Sequence, residues 1–133
     1  MNINKFIVIG RICNDVELKY SQKSSKPFIR LTVATNKRWK DTHGDKQEET
    51  SFHNIQFWDE RAEIIAKWFN KGDEIYVEGR MRYSIFEKDG TNHYQFQLIG
   101  EKFDFGQKAD KNIKDLKPKD SIEDIDKHLK DFE

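Results

Sequence analysis

The 133 residues leave room for one domain of ordinary size, and 36% of them are charged against 35% hydrophobic, a balance that implies a small core with either a large wetted surface or a polar extension. Lysine plus arginine and aspartate plus glutamate both number 24, so net charge selects no partner and only the placement of charges is informative. The one cysteine, Cys13, excludes an intrachain disulfide and a cysteine-based metal framework; beside the apolar run ending at Ile12 it reads as a small buried side chain.

In chain order, Phe6-Ile7-Val8-Ile9 is the first apolar run, too short for a signal peptide or a bilayer span, and the expected compartment is the cytoplasm. Apolar and β-branched runs at 5–12, 27–39, 49–58, 74–87 and 92–103 predict strands. One stretch predicts a helix: Asp59 as N-cap, Ala62, Ile65, Ala66 and Phe69 on one face, Lys67 and Lys71 near the C-terminal end, and Gly72 as the stop. Lys88-Asp89-Gly90 signals a hairpin between the last two strands. Three strands, a helix and two strands is the element order of the five-stranded OB barrel, so the predicted class is mainly β, with a plain α+β sheet as the alternative.

Composition changes near Gly106. Residues 1–105 hold all three tryptophans and nine of the ten phenylalanines, whereas 106–133 carry seven lysines, eight acids and Phe132. The expected organisation is a domain over 1–105 and a charged, largely disordered tail over 106–133. Within the tail, Ile122, Ile125, Leu129 and Phe132 recur at helical spacing behind Ser121 and Asp124. Segment 121–132 is too short to be a stable helix alone. It reads as an element that folds against a replication or recombination partner, docks on its own barrel, or is inert.

Splitting the strands by their two-residue alternation separates core from surface. His53, Ile55 and Phe57 form one face of the third strand, and Phe52, Asn54, Gln56 and Trp58 the other. In the fourth, Ile75, Val77, Met81, Tyr83 and Ile85 read as core; Tyr76, Glu78, Arg80, Arg82, Ser84 and Phe86 face out. Aromatics among cations on a wet sheet make a stacking platform for unpaired bases, with arginines for phosphates. The structural alternative is that these aromatics cover core under a loop or an oligomer contact. Trp39 would fall on the core face of the second strand, but Lys37, Arg38 and Lys40 surround it. The strand is therefore expected to bend or end before Trp39, leaving it at the root of a mobile loop over 40–46, either to grip a strand or to anchor the loop.

The run Asn4-Lys5-Phe6-Ile7-Val8-Ile9-Gly10-Arg11-Ile12, the segment Leu31-Thr32-Val33-Ala34-Thr35-Asn36 with Trp39, the segment Thr50-Ser51-Phe52-His53-Asn54-Ile55, and Lys71-Gly72-Asp73-Glu74-Ile75-Tyr76-Val77-Glu78-Gly79-Arg80 together resemble the bacterial and phage single-stranded-DNA-binding (SSB) family over about residues 2–105. The resemblance implies an OB fold, a homotetramer, and sequence-tolerant binding and protection of single-stranded DNA in replication, recombination and repair. It puts the stacking aromatics at Trp39, Phe52, Trp58 and Phe86, and makes His53 a residue linked to subunit association. Departures are Cys13 and Val16-Glu17 after the first strand, and an ending Asp131-Phe132-Glu133 in place of acids closed by Ile-Pro-Phe. By this resemblance the protein would be nucleoid-associated, or would work in a host's cytoplasm if of phage or plasmid origin.

Catalysis has no support in the pattern. His43, His53, His93 and His128 show no metal-ligand spacing, no glycine-rich phosphate loop is present, and Glu48 and Glu49 are strand neighbours on opposite faces. Neither cofactor nor metal is expected. The alternative binding readings are an OB module for RNA, which stacking chemistry does not exclude, or one for protein alone.

Overall fold

The computed structural model describes residues 1–109. Its elements are β1 (Phe6–Ile12), β2 (Lys19–Tyr20), β3 (Pro27–Lys40), β4 (Lys46–Trp58), α1 (Asp59–Trp68), β5 (Glu74–Lys88) and β6 (Thr91–Phe105). The sheet runs β1-β5-β6-β4-β3-β2, and β1 also pairs with β3, so five long strands close into a barrel. Closure needs two short contacts: Arg11 and Ile12 of β1 against Ala34 and Val33 of β3, and a parallel pair placing Ile55 and Gln56 of β4 beside Leu98 and Ile99 of β6. Gly10 permits the first, because a Cβ there would collide with the Ala34 backbone. The OB-type barrel predicted from element order is the fold.

Alternation fills the interior. Ile12, Ile29, Leu31, Val33, Ile55, Phe57, Ile75 and Val77 form the core with Ala62, Ile65 and Phe69 of α1; each large side chain contributes roughly 1.5–3 kcal/mol on burial. Cys13 is buried as expected. Among the described residues no helix is long and apolar enough to cross a membrane.

The helix differs from its prediction at both ends. Trp58, not Asp59, is the N-cap, without a side-chain capping bond. β4 runs into α1 with no loop, and the chain reverses at Asp59, whose φ of 60° is one that aspartate tolerates. The helix stops at Trp68, before Lys71 and Gly72, because Phe69 swings into extended backbone to reach the core. Its ring stacks on Phe105 (centroids 4.6 Å) and meets the edge of Phe103 at 5.9 Å.

Two further expectations are corrected. β3 neither bends away nor ends before Trp39; it stays paired with β4 down to Lys40 opposite Lys46. The connection is not a slack loop over 40–46 but a bonded turn. The Asp41 carboxylate accepts backbone N–H bonds from His43 and Asp45, both 2.9 Å, and the Gln47 amide at 3.1 Å. On β5, Ile75 and Val77 are core, Met81 is half-buried, and Tyr83 and Ile85 are exposed. In both cases the strands outrun the barrel, and the core-side face continues into solvent. The β5–β6 arm closes at Asp89-Gly90, both at positive φ (55° and 77°) as a tight hairpin turn requires.

Residues 106–109 pack back on the barrel base. Gly106 donates its N–H to the Glu74 carbonyl, Gln107 returns an acceptor to the Glu74 N–H, and Ala109 donates to the buried Asp73 carboxylate at 2.7 Å. The segment bearing Ile122, Ile125, Leu129 and Phe132 lies outside the described residues.

Candidate nucleic-acid interface

The outer face of the β3–β4 pair is set by register, since directly opposed residues point the same way. Phe28 lies opposite Trp58, Arg30 opposite Gln56, Thr32 opposite Asn54, and Ala34 opposite Phe52. The Phe28 and Trp58 rings stack with centroids 4.9 Å apart and planes 28° apart, and the Arg30 guanidinium stands 5.4 Å from the Phe28 centroid. Small Ala34 opposite Phe52 leaves that ring exposed. Thr32 donates its hydroxyl to Asn54 at 3.0 Å, which orders the amide between the two aromatics.

The second row lies on the β5–β6 arm. Arg80, Arg82, Ser84 and Phe86 share a face with Ile99, Gln97, Gln95 and His93, and Phe86 stacks on His93 at 5.3 Å. Two hollows join the rows. One, of about 370 Å³, is lined by Trp58, Arg80 and Arg82 with Lys26 and Arg61. The other, of about 240 Å³, is lined by Arg30, Thr32, Asn54, Ile55 and Gln56 on one side and Gln95, Phe96, Gln97 and Leu98 on the other. Trp58, Arg80 and Arg82 therefore meet in one aromatic and cationic saddle, and Phe52 and Phe86 lie further out on the same strand faces.

Trp39 is not on that saddle face. Register puts it opposite Gln47, on the side of the ribbon that carries Lys37 and Glu49, whereas Phe52 is on the other side. Its ring is exposed, with the Lys37 ammonium 5.9 Å from the centroid. It borders a separate hollow of about 450 Å³ formed with Arg38, Lys40 and Lys46. Of the three cations predicted here, Arg38 also makes a 3.7 Å ion pair with Glu48. His53 shares a 2.8 Å hydrogen bond with the Thr35 hydroxyl.

Phe28, Arg30, Lys26 and Arg61 were not among the residues expected from sequence. Phe28 and Arg30 were within reach, since they alternate with Ile29 and Leu31 just as Trp58 and Gln56 alternate with Phe57 and Ile55. Lys26 and Arg61 belong to a loop and a helix, which strand alternation does not sort. Among the described residues no three His, Cys, Asp or Glu side chains are grouped to hold a metal ion. The resolved carboxylate shifts lie elsewhere: Glu78 is held low by its hydrogen bond with Lys5 at 2.6 Å, and Asp41 is held low chiefly by the Asp45 N–H.

A model of the Single-strand binding protein family matches residues 3–106, nearly the whole barrel and both arms. The chain belongs to that family. It is a family of DNA-binding proteins rather than enzymes. A relative named single-stranded DNA-binding protein from Xanthomonas campestris is 35% identical over 98 residues, covering 73% of this chain and 56% of the relative. Single-stranded DNA-binding protein 1 of Xylella fastidiosa is 33% identical over 114 residues, covering 84% of this chain and 83% of its own length. The chain thus spans little more than half of the Xanthomonas relative. Among solved structures, the wild-type single-stranded DNA binding protein from Thermus aquaticus superimposes with a TM-score of 0.67 at 26% identity, covering 79% of this chain and 50% of that one. A Plasmodium falciparum SSB in complex with ssDNA shares the fold, with a TM-score of 0.67 at 22% identity over 80% of this chain and 97% of that one.

Proposed function

We propose that this chain binds and protects single-stranded DNA without strong sequence preference, stacking bases on Phe52, Trp58 and Phe86 and neutralising phosphates with Arg80 and Arg82. The observation that carries the reading is the saddle in which the stacked Phe28–Trp58 pair meets the arm arginines. A π-face accepts any base, so the surface needs no sequence code, and each stacked base is worth about 1–3 kcal/mol. Arg30 over Phe28, with Lys26 and Arg61 beside Trp58, adds cations where the backbone would run. Trp39, with Lys37, Arg38 and Lys40, holds a further nucleotide at the far side of the β3–β4 arm. The names of the Xanthomonas and Xylella relatives support DNA as the ligand.

Assembly as a homotetramer follows the family resemblance, and β1 supports it. Phe6 to Gly10 pair only with β5, so one edge of that stretch is free, and Ile7 and Ile9 are exposed beside Tyr76 on the outer face. Work in replication, recombination and repair in the cytoplasm, with recruitment of partners through 121–132, completes the proposal.

Titration of intrinsic tryptophan fluorescence with oligo(dT), a duplex and a matched RNA tests the core of it. Strong quenching by oligo(dT) and little by duplex is the expected result. Equal response to duplex would remove the stacking mechanism, and preference for RNA would replace the ligand.

A further inference from the structure

We infer that the fork between the two arms reads the edge of one base by hydrogen bonds, which adds a modest preference at a single position to the stacking and phosphate contacts. This rests on single-stranded DNA being the ligand. β4 and β6 pair only at Ile55–Leu98 and Gln56–Ile99. Where they part, the hollow of about 240 Å³ opens, with Arg30, Asn54 and Gln56 on one bank and Gln95 and Gln97 on the other. Asn54 and Gln56 stand between Phe52 and Trp58 on the outer face of β4, and Gln95 and Gln97 share the arm face of Ser84 and Arg82. Gln56 is two residues, roughly 7 Å, from Trp58 along the strand. The neighbour of a base stacked on Trp58 would therefore reach the hollow.

The lining suits an edge rather than a ring face. Phe96 packs on Tyr83 at 4.9 Å and gives the hollow an apolar wall. Among the described residues the amides of Gln56, Gln95 and Gln97 have no hydrogen-bond partner, although Gln56 and Gln97 are half-buried. Such groups take their partners from outside the chain. Thr32 occupies the Asn54 carbonyl at 3.0 Å, which leaves the Asn54 NH2 group to donate. Arg30 can only donate, and each glutamine can do either. Among the described residues no carboxylate lines the hollow. Donors therefore outnumber acceptors. The Watson–Crick edge of thymine, two carbonyls flanking N3–H, complements that pattern, and the edge of guanine, one carbonyl beside two donors, does not. An unpaired strand leaves this edge free and a duplex does not, so the hollow also favours single strands.

The probe is an oligo(dT) methylated at N3 of each thymine, which keeps the sugar, the phosphate and the ring face but blocks the edge. Tryptophan-quenching titrations of the full chain compare it with unmodified oligo(dT) of the same length, for wild type and for the double variant Gln56→Leu, Gln97→Leu. Wild type should bind the methylated oligonucleotide about tenfold more weakly. The variant should bind both with similar affinity, and its salt dependence should stay that of wild type because no cation is removed. Should the double variant misfold by circular dichroism, Gln95→Leu at an exposed position takes its place and should narrow the same ratio. Trp58→Ala should weaken both oligonucleotides alike, so lost stacking does not imitate lost edge contact. A ratio as large in the glutamine variant as in wild type would overturn this inference alone. No binding of oligo(dT) by wild type would overturn both it and the reading on which it rests.

Discussion

The β3–β4 and β5–β6 hairpins are built alike, each leaving the barrel with its core-side alternation intact, yet they carry opposite chemistry on that side. Along β3–β4 it becomes Lys37 opposite Glu49 and Trp39 opposite Gln47, three polar side chains around one exposed ring. Along β5–β6 it becomes Tyr83 opposite Phe96 and Ile85 opposite Tyr94, which water does not favour. Their outer sides differ too. β3–β4 supplies Phe52 and the Phe28–Trp58 stack near the barrel, and β5–β6 supplies arginines and Phe86 along the arm. A two-residue period reports which residues share a face, not whether that face is covered.

The sharpest test of this contrast is stability. Ile55 and Ile85 both have core-side parity, but Ile55 is fully buried and Ile85 is exposed. Ile55→Ala should lower unfolding free energy by about 2–5 kcal/mol, and Ile85→Ala should stay within about 0.5 kcal/mol, both read by urea denaturation. Equal losses would mean the arm belongs to the core.

Binding comes next. Trp58→Ala should weaken oligo(dT) affinity by about 1–3 kcal/mol, with Trp39→Ala at the lower end because its ring lies off the saddle; a larger loss for Trp39 would reverse the ranking of the arms. Removing Arg80 and Arg82 together should flatten the log–log salt dependence by about 1.4, or about 0.7 per phosphate released. Arg38→Ala should flatten it less, because Arg38 is engaged with Glu48.

The smallest effect concerns the β3–β4 turn. Asp41 has a lowered pKa from its ordinary 3.8, first through the Asp45 N–H and then through the His43 N–H and the Gln47 amide. A depressed carboxylate stabilises the folded turn above its unfolded pKa and loses that contribution as pH falls through the folded value. Trp39 emission should therefore shift slightly below pH 3.8, and Asp41→Ala should abolish the shift.

Much of this was legible in the residues. The barrel followed from five alternating strands and one amphipathic stretch, and Phe52, Trp58, Phe86, Arg80 and Arg82 followed from their strand faces. Phe28 and Arg30 went unseen although the same alternation marks them. Asp59 looked like a cap, and the absence of any loop between β4 and α1 made it the reversal point instead.

Local pattern determined the strands, the faces and the Asp89-Gly90 turn, because alternation and backbone preference act between near neighbours. Where the barrel ends along each strand was decided only by tertiary closure, at Gly10 against Ala34 and at Ile55 beside Leu98. Those long-range contacts set how much of each strand is enclosed. They alone turned Tyr83 and Ile85 from core into surface and brought Trp58 to the arginines of the arm.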